Sequence, residues 1–408
     1  MRTYAGVRVV GVPAAACVSP AAPPSQMALN NCGACLDFDS GVNNMPAALN
    51  TLPSEYYTAD AILAAETEHI FRKRWMCVGR AAEIASPGDY FLRAVGGDNL
   101  IILRDRSGTV QALHNVCRHR GTRLCAEASG QLRETIQCPY HAWTYALDGR
   151  LLGAPNMNAV ADFDKAEHGL YRAQAGVWQG FIFVNLDAAG ESLADAMAPL
   201  AGKFEMWNLP NLQRAQRIEY DAPANWKLLA ENYSECYHCP LVHPALEKLS
   251  PHDSGNNDLI AGPFLGGFMD LYDGHSSLTA TGGTSRPPLG RVCGADLQRV
   301  HYYSLFPNLL LSLHPDYVMF HTLWPQSPER TLITCEWLFD AQAMAQPGFD
   351  AADAVEFWDM TNRQDWHICG ETQAGMRSRM YRPGKLQSEQ ELLSAAFDAE
   401  VLKALGHA

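Results

Sequence analysis

Apolar positions along the chain recur with two different periods, and the changes from one period to the other lay out its elements. In SEYYTADAILAAETEHIFRKRW, Ile62, Leu63, Ile70 and Phe71 fall at helical spacing, with Thr58 as N-cap and Asp60 in the first turn. NLIILRDRSGTVQALHNVC predicts a strand, a turn at Asp105-Arg106-Ser107-Gly108 and a second strand. YALDGRLLG and VWQGFIFVNL continue the β pattern, so a mostly β domain is expected over 75–190, behind a helical segment at 51–74. From about 191 the character changes. APANWKLLAENYSECYH (222–238) reads as a helix, and strand-like runs follow at 299–305, 308–314, 317–324 and 331–339. DAADAVEFWDMTNRQDWHICGETQAGM predicts a long helix. A last helix opens on a capping box, Ser388 and Glu391, and carries Leu392, Leu393, Phe397, Val401 and Leu402 on one face. Helices flanking an antiparallel sheet make residues 191–408 a larger α+β domain.

The 408 residues are 47% apolar with a formal charge of −13. That length buries a large core and suits two domains, and the acidic balance speaks against nucleic acid or an anionic membrane as partner. No apolar run reaches the length needed to span a bilayer. Between Met1 and Cys35 there is no Asp or Glu and only two Arg. Residues 1–50 therefore read as a disordered extension, with Met27 or Met45 as alternative starts. Cys32-Gly-Ala-Cys35 has redox-motif spacing without the strand-helix context. Twelve cysteines are scattered along the chain rather than spaced as a small disulfide framework. Cys117, Cys138, Cys236, Cys239 and Cys369 read as reduced thiols, ligands or small core residues, in a cytoplasmic protein.

Two segments carry candidate chemistry. NVCRHRGTRLC (115–125) and QCPYHAW (137–143) give Cys117-x-His119, eighteen residues, then Cys138-x-x-His141. Such a set suits zinc, and equally a [2Fe–2S] cluster in which two histidines replace two cysteines on one iron. Gly121, Pro139 and Tyr140 supply tight turns and a hydroxyl beside the ligands, and Arg118 and Arg120 offset a cluster's negative charge.

ENYSECYHCPLVHP adds His238 and His243 with Pro240 between them. On an unbroken helix their side chains point about 140° apart; Pro240 is expected to break the helix and turn both toward one point. Two histidines and a carboxylate form the facial triad of non-haem Fe(II) oxygenases. Asp365 is the candidate acid, on a helix face with Trp358, Thr361, Ile368, Cys369 and Thr372, while Glu356, Asp359 and Glu371 project elsewhere. Glu235, three residues before His238, is placed to accept a hydrogen bond from its free ring nitrogen.

C-x-H-R-G followed by C-P-Y-H-x-W resembles the cluster loops of Rieske proteins. Together with the two-histidine segment, the chain resembles the catalytic α subunit of a Rieske non-haem iron oxygenase from about Leu52 to Leu405. ANWKLLAENYSECYHCPLVHP, LFPNLLLSLHPDYVMFHTLWP and FWDMTNRQDW resemble its glycine betaine and stachydrine demethylase branch. The resemblance implies a Rieske [2Fe–2S] cluster on Cys117, His119, Cys138 and His141, and one mononuclear Fe(II) on His238, His243 and Asp365. It also implies that Glu235 bridges the cluster of one subunit to the iron of the next in a homotrimer.

The implied reaction uses O2 to hydroxylate an N-methyl group of a small betaine-like substrate, with formaldehyde release. Electrons would come from a separate flavin and iron–sulfur reductase, NAD(P)H being reached only through it, since no G-x-G-x-x-G follows a strand here. Ring hydroxylation of an aromatic acid is the alternative, and a non-enzymatic zinc protein or a stand-alone electron carrier are more distant ones. Trp226, Phe268, Tyr272, Tyr302, Tyr303 and Tyr317 are candidate faces for a quaternary ammonium group. Gly370 stands where the branch usually has a glutamate, which bears on the surroundings of the iron.

Overall fold

A computed structural model describes residues 49–407; the expectations for Met27, Cys32, Cys35, Met45 and the rest of the extension lie outside the described residues. Ten strands come first along the chain: β1 (Met76–Arg80), β2 (Asp89–Val95), β3 (Asp98–Arg104), β4 (Val110–His114), β5 (Ser129–Gln131), β6 (Thr135–Gln137), β7 (Thr144–Ala146), β8 (Leu151–Gly153), β9 (Arg172–Trp178) and β10 (Phe181–Asn185). Seven of them make one antiparallel sheet in the order β1-β10-β9-β4-β3-β2-β5, and β6-β7-β8 make a small second one. Seven more follow: β11 (Leu212–Ala222), β12 (Asn256–Ala261), β13 (Phe264–Asp270), β14 (Arg299–Leu305), β15 (Leu309–Leu313), β16 (Val318–Ser327) and β17 (Arg330–Asp340). They form a third sheet in the order β11-β17-β16-β15-β14-β13-β12. This is the expected α+β arrangement, and the four strand runs read in 299–339 fall on β14 to β17.

The helices are α1 (Glu55–Thr58), α2 (Asp60–Glu66), α3 (Leu193–Met197), α4 (Trp226–Tyr233), α5 (Cys239–Val242), α6 (Pro244–Glu247), α7 (Ala341–Met344), α8 (Ala352–Met376) and α9 (Leu392–Leu405). Side chains alternate across the third sheet because a strand has period two. One face, with Leu310, Met319, Leu323 and Ile333, packs on Trp226, Trp358, Trp366 and Phe397 from α4, α8 and α9. The opposite face, with Tyr303, Leu305, Leu311 and Phe320, packs on Trp75, Phe181 and Phe183 of the first region. Both regions thus share buried cores.

Several boundaries differ from the sequence reading. Thr58 closes α1, its hydroxyl bonded to the Ser54 carbonyl, and Ala59 caps α2. The box before α9 is shifted by one residue at its start: Gln387 Oε1 accepts from the amides of Glu389 and Gln390, while Glu391 Oε2 accepts from Gln387 N. On α8, Ile368 and Thr372 are exposed, and the buried stripe runs through Trp358, Thr361, Asn362, Trp366, Cys369 and Gln373. Leu49 and Asn50, placed within the extension, are tied to 385–386 by a carbonyl bonded to Leu386 N and a bridge to Lys385.

α4 is fixed from below. Its N-cap Asn225 accepts from Lys227 N and donates to the carbonyls of Tyr57 and Pro328. Lys227 and Glu66, both fully buried, pair at 2.5 Å, and Trp226 Nε1 donates to the other Glu66 oxygen at 2.8 Å. Nearby, Asp398 is pushed well up by burial and by Glu231. Lys227→Met strands the Glu66 carboxylate in the core, and is expected to cost about 3–5 kcal/mol of stability in a urea melt followed by circular dichroism.

Candidate metal centres and active site

The first centre is built by two loops between short strands. Asn115, at the end of β4, holds its loop closed: its Oδ1 accepts from the amides of Leu124 and Cys125, and its Nδ2 donates to the Cys125 carbonyl. Gly121 turns in the left-handed region at φ +73°, where glycine carries no Cβ penalty, and bonds back to the Cys117 carbonyl. The second loop folds Ala142 N onto the Cys138 carbonyl. Cys117 and Cys138 are both 3% exposed, and the rings of His119 and His141 meet with centroids 4.7 Å apart. His141 Nδ1 is buried with no hydrogen-bond partner. Burial raises the Cys138 thiol, but the amides of Tyr140 and His141 donate to its sulfur and leave it below its ordinary value. Two buried sulfurs and an orphaned imidazole nitrogen fit a cluster held by two cysteines and two histidines.

The hydroxyl beside the candidate ligands is Tyr145, 3.3 Å from Cys117 Sγ, not Tyr140, whose ring lies tilted against His141 and is largely exposed. Tyr145 lies two residues past Trp143, whose ring lies flat on His119, and both are buried in one core; that spacing is the signal in the sequence. Arg118 turns away, onto the Gly169 carbonyl and the Tyr171 ring, and Arg120 lies over Tyr140.

The second centre lies between α4, α5 and α8. α4 ends at Tyr233, and Pro240 opens α5 instead of breaking a longer helix. The turn between them is set by Glu235, whose Oε2 accepts from the amides of Tyr237 and His238. His238 Nε2 then lies 3.2 Å from His243 Nε2 and 3.4 Å from Asp365 Oδ1, which is 2.8 Å from His243 Nε2. The far nitrogens are engaged: His238 Nδ1 with Glu235 Oε1 at 2.6 Å, and His243 Nδ1 with Gln364 Oε1 at 2.8 Å. Both Nδ1 atoms therefore donate, which leaves two lone pairs and a carboxylate oxygen aimed at one point. Burial lowers His238, but hydrogen bonds that it donates to Asp365 and Glu235 outweigh it and raise it to about 10. The donor set fits a divalent metal with open positions.

Beside these residues lies a cavity of about 350 Å³. Phe268 and Tyr302 line it, with Tyr233, Tyr237, Trp358 and Trp366. The other proposed aromatics do not. Trp226 is core and bonded to Glu66, Tyr303 points through the opposite sheet face to Asp258, Tyr317 is buried against the Leu278 carbonyl, and Tyr272 is exposed outside the cavity. Gly370 faces the Pro223 ring, which a Cβ added there would meet at 3.1 Å, and does not line the cavity. Three further groups at the site carry no motif in the sequence: Gln364, Asn232 with Nδ2 3.4 Å from His238 Nε2, and His321, which burial lowers to about 4. Cys236 and Cys239, read as reduced, form a disulfide around His238.

Gln364→Leu removes the acceptor that fixes the His243 tautomer. Metal affinity at this centre is expected to fall about 10–100-fold in an iron titration, with the cluster's visible spectrum unchanged.

The sequence matches the Rieske [2Fe-2S] domain over residues 74–164 and the ring hydroxylating alpha subunit catalytic domain over residues 209–407. It is 34% identical over 363 residues to the glycine betaine monooxygenase oxygenase subunit of Pseudomonas aeruginosa (strain UCBPP-PA14), covering 82% of this chain and 84% of that one. It is 30% identical over 342 residues to the carnitine monooxygenase oxygenase subunit of Escherichia coli (strain K12), covering 81% and 86%. The crystal structure of the quaternary ammonium Rieske monooxygenase CntA in complex with substrate gamma-butyrobetaine superposes with a TM-score of 0.74 and 28% identity, over 88% of this chain and 96% of that one. Naphthalene 1,2-dioxygenase from Rhodococcus sp., at 19% identity and a TM-score of 0.72 over 87% and 94%, shares the fold. The two-region architecture, the two donor sets and these relatives agree: the chain belongs to the family of Rieske non-haem iron oxygenase α subunits.

Proposed function

We propose that the chain is the oxygenase component of a monooxygenase system that hydroxylates an N-methyl group of a betaine-like quaternary ammonium compound. The carrying observation is the lining of the cavity. Six aromatic rings face or border it, two carboxylates (Asp253 and Glu389) lie along it besides Glu235 and Asp365 of the iron site, and among the described residues no Lys or Arg does. A quaternary nitrogen has a fixed charge and no N–H, so ring faces and carboxylates, not hydrogen bonds, recognise it. His321, kept neutral by burial, adds no opposing charge.

In this reading Cys117, His119, Cys138 and His141 hold the cluster, and His238, His243 and Asp365 hold the iron. When bound, the cluster supplies single electrons and the iron supplies dioxygen binding and activation. The chain's own part is to confine the reaction. Leu246, Leu265, Met319 and Leu393 line the cavity beside His238, His243 and Asp365 and limit water. The reaction takes up O2, two electrons and two protons. One oxygen atom enters the methyl group and the other leaves as water. The hemiaminal then loses its hydroxyl proton to solvent, the C–N bond breaks with its electron pair going to nitrogen, and formaldehyde and a tertiary amine separate.

A flavin and iron–sulfur reductase is the proposed electron donor, in the cytoplasm, where reduced nicotinamide is at hand. The assembly is proposed to be a homotrimer in which Glu235 bridges His238 to a neighbour's cluster. Exposed apolar side chains support this: Tyr237 and Leu241, 57% and 88% exposed, stand beside His238, and Tyr140 and Tyr171, 57% and 58%, beside the cluster loops. Two such unlike patches suit a head-to-tail ring.

With a reductase, formaldehyde is expected to track the loss of glycine betaine or carnitine; hydroxylated aromatic acid with no formaldehyde refutes this reading. His238→Ala is expected to abolish turnover while the reduced cluster keeps its EPR signal, and equal loss of both contradicts two separate centres. Glu235→Gln should slow cluster re-oxidation in a single turnover about tenfold or more with both metals retained. An unchanged rate removes Glu235 from the electron path.

A further inference from the structure

The Cys236–Cys239 disulfide encloses His238 in a four-residue loop, and both cysteines border the cavity. Cys239 Sγ lies 4.0 Å from His238 Nε2, and its ligand atom and those of His238 and His243 all fall within 4.8 Å of one another. A tetrahedral metal with bonds of about 2.3 Å to sulfur and about 2.0 Å to nitrogen separates those two ligand atoms by about 3.5 Å. A small side-chain rotation therefore brings a freed Cys239 sulfur onto the same ion. As long as the sulfur is tied to Cys236 it has no thiolate to offer.

We infer that the disulfide is a redox-controlled gate on the mononuclear centre: opening it releases Cys239 as a metal ligand and converts an iron site with open positions into a closed site that prefers zinc. The inference rests on the assignment of His238, His243 and Asp365 to the metal, made above.

Burial sets the direction of the chemistry. Cys236 is partly exposed, whereas Cys239 is 3% exposed. An external thiol, a low-molecular-weight or protein dithiol, reaches Cys236 first. Its sulfur bonds to Cys236 Sγ, the Cys236–Cys239 bond breaks, and Cys239 leaves as the thiolate. A second thiol then displaces Cys236, so that two electrons and two protons from the external thiols give two cysteines and one oxidised thiol pair. With thiolate, two imidazoles and the Asp365 carboxylate, the set has four donors, the number and type that structural zinc takes. Fe(II) in an oxygenase needs positions left vacant for dioxygen and loses one to the sulfur. Oxidation of the pair restores the two-histidine, one-carboxylate set.

The test uses the full chain, stripped of the mononuclear metal with a chelator and loaded with Co(II), before and after treatment with a dithiol. Mass spectrometry of the unreduced protein reports the Cys236–Cys239 link. The reduced protein is expected to gain a near-ultraviolet thiolate-to-Co(II) band, taken as a difference against Cys239→Ala. Offered iron and zinc together, it should shift from mostly iron to mostly zinc. Cys236→Ser, which leaves Cys239 without its partner, should give the band with no reductant. Co(II) bound without the band after the link is shown open overturns the gate and leaves the metal assignment standing, and so does a link missing from every preparation. Co(II) bound by neither redox form, with the cluster spectrum intact, overturns both.

Discussion

Three electron-rich atoms, Nε2 of His238, Nε2 of His243 and Oδ1 of Asp365, converge within 3.4 Å of one another. With both far nitrogens engaged as donors, that arrangement is repulsive unless a positive charge sits at its centre. Much of the second region can be understood as holding it together. α4 is pinned by the buried Glu66–Lys227 pair and by its Asn225 cap, so the Glu235 turn that follows has a fixed starting point. α8 delivers Asp365 and Gln364 from the other side, to Nε2 and to Nδ1 of His243.

The cluster centre follows a different plan. The residues proposed to hold it sit on loops, and precision comes from hydrogen bonds to backbone amides: Asn115 closes one loop and the amides of Tyr140 and His141 address the sulfur of Cys138. Such donors favour a charged sulfur and tune a cluster's potential. An electron carrier needs a fixed environment and no vacancy, whereas an oxygen-activating metal needs a vacancy and a dry cavity. The two regions of the chain divide those demands.

Most of the architecture was legible because its signals are local. The strands of 299–339 show in their apolar runs, and both donor sets show in their spacing. What failed depended on tertiary context. Tyr302 and Tyr303 are neighbours in one strand, yet one lines the cavity and the other crosses to the opposite face; which face carries the cavity is decided by the helices packed there. Trp226 reads as an aromatic near the site, but its indole donates to a buried glutamate contributed from 160 residues away. Gln364 sits next to Asp365 on a helix, about 100° around from it, so a face-by-face reading passes over it. Pro240 suggested a broken helix, whereas the carboxylate of Glu235 makes the turn before the proline is reached. The Cys236–Cys239 link was missed because dispersed cysteines in a long chain read as free thiols.

The central claim is that one chain carries two iron centres of different kinds. It is tested most directly by one anaerobic preparation analysed for iron and zinc and read by EPR after dithionite. The account predicts a reduced Rieske signal and about three irons per chain, two in the cluster and one mononuclear. A colourless protein holding zinc in place of iron contradicts it.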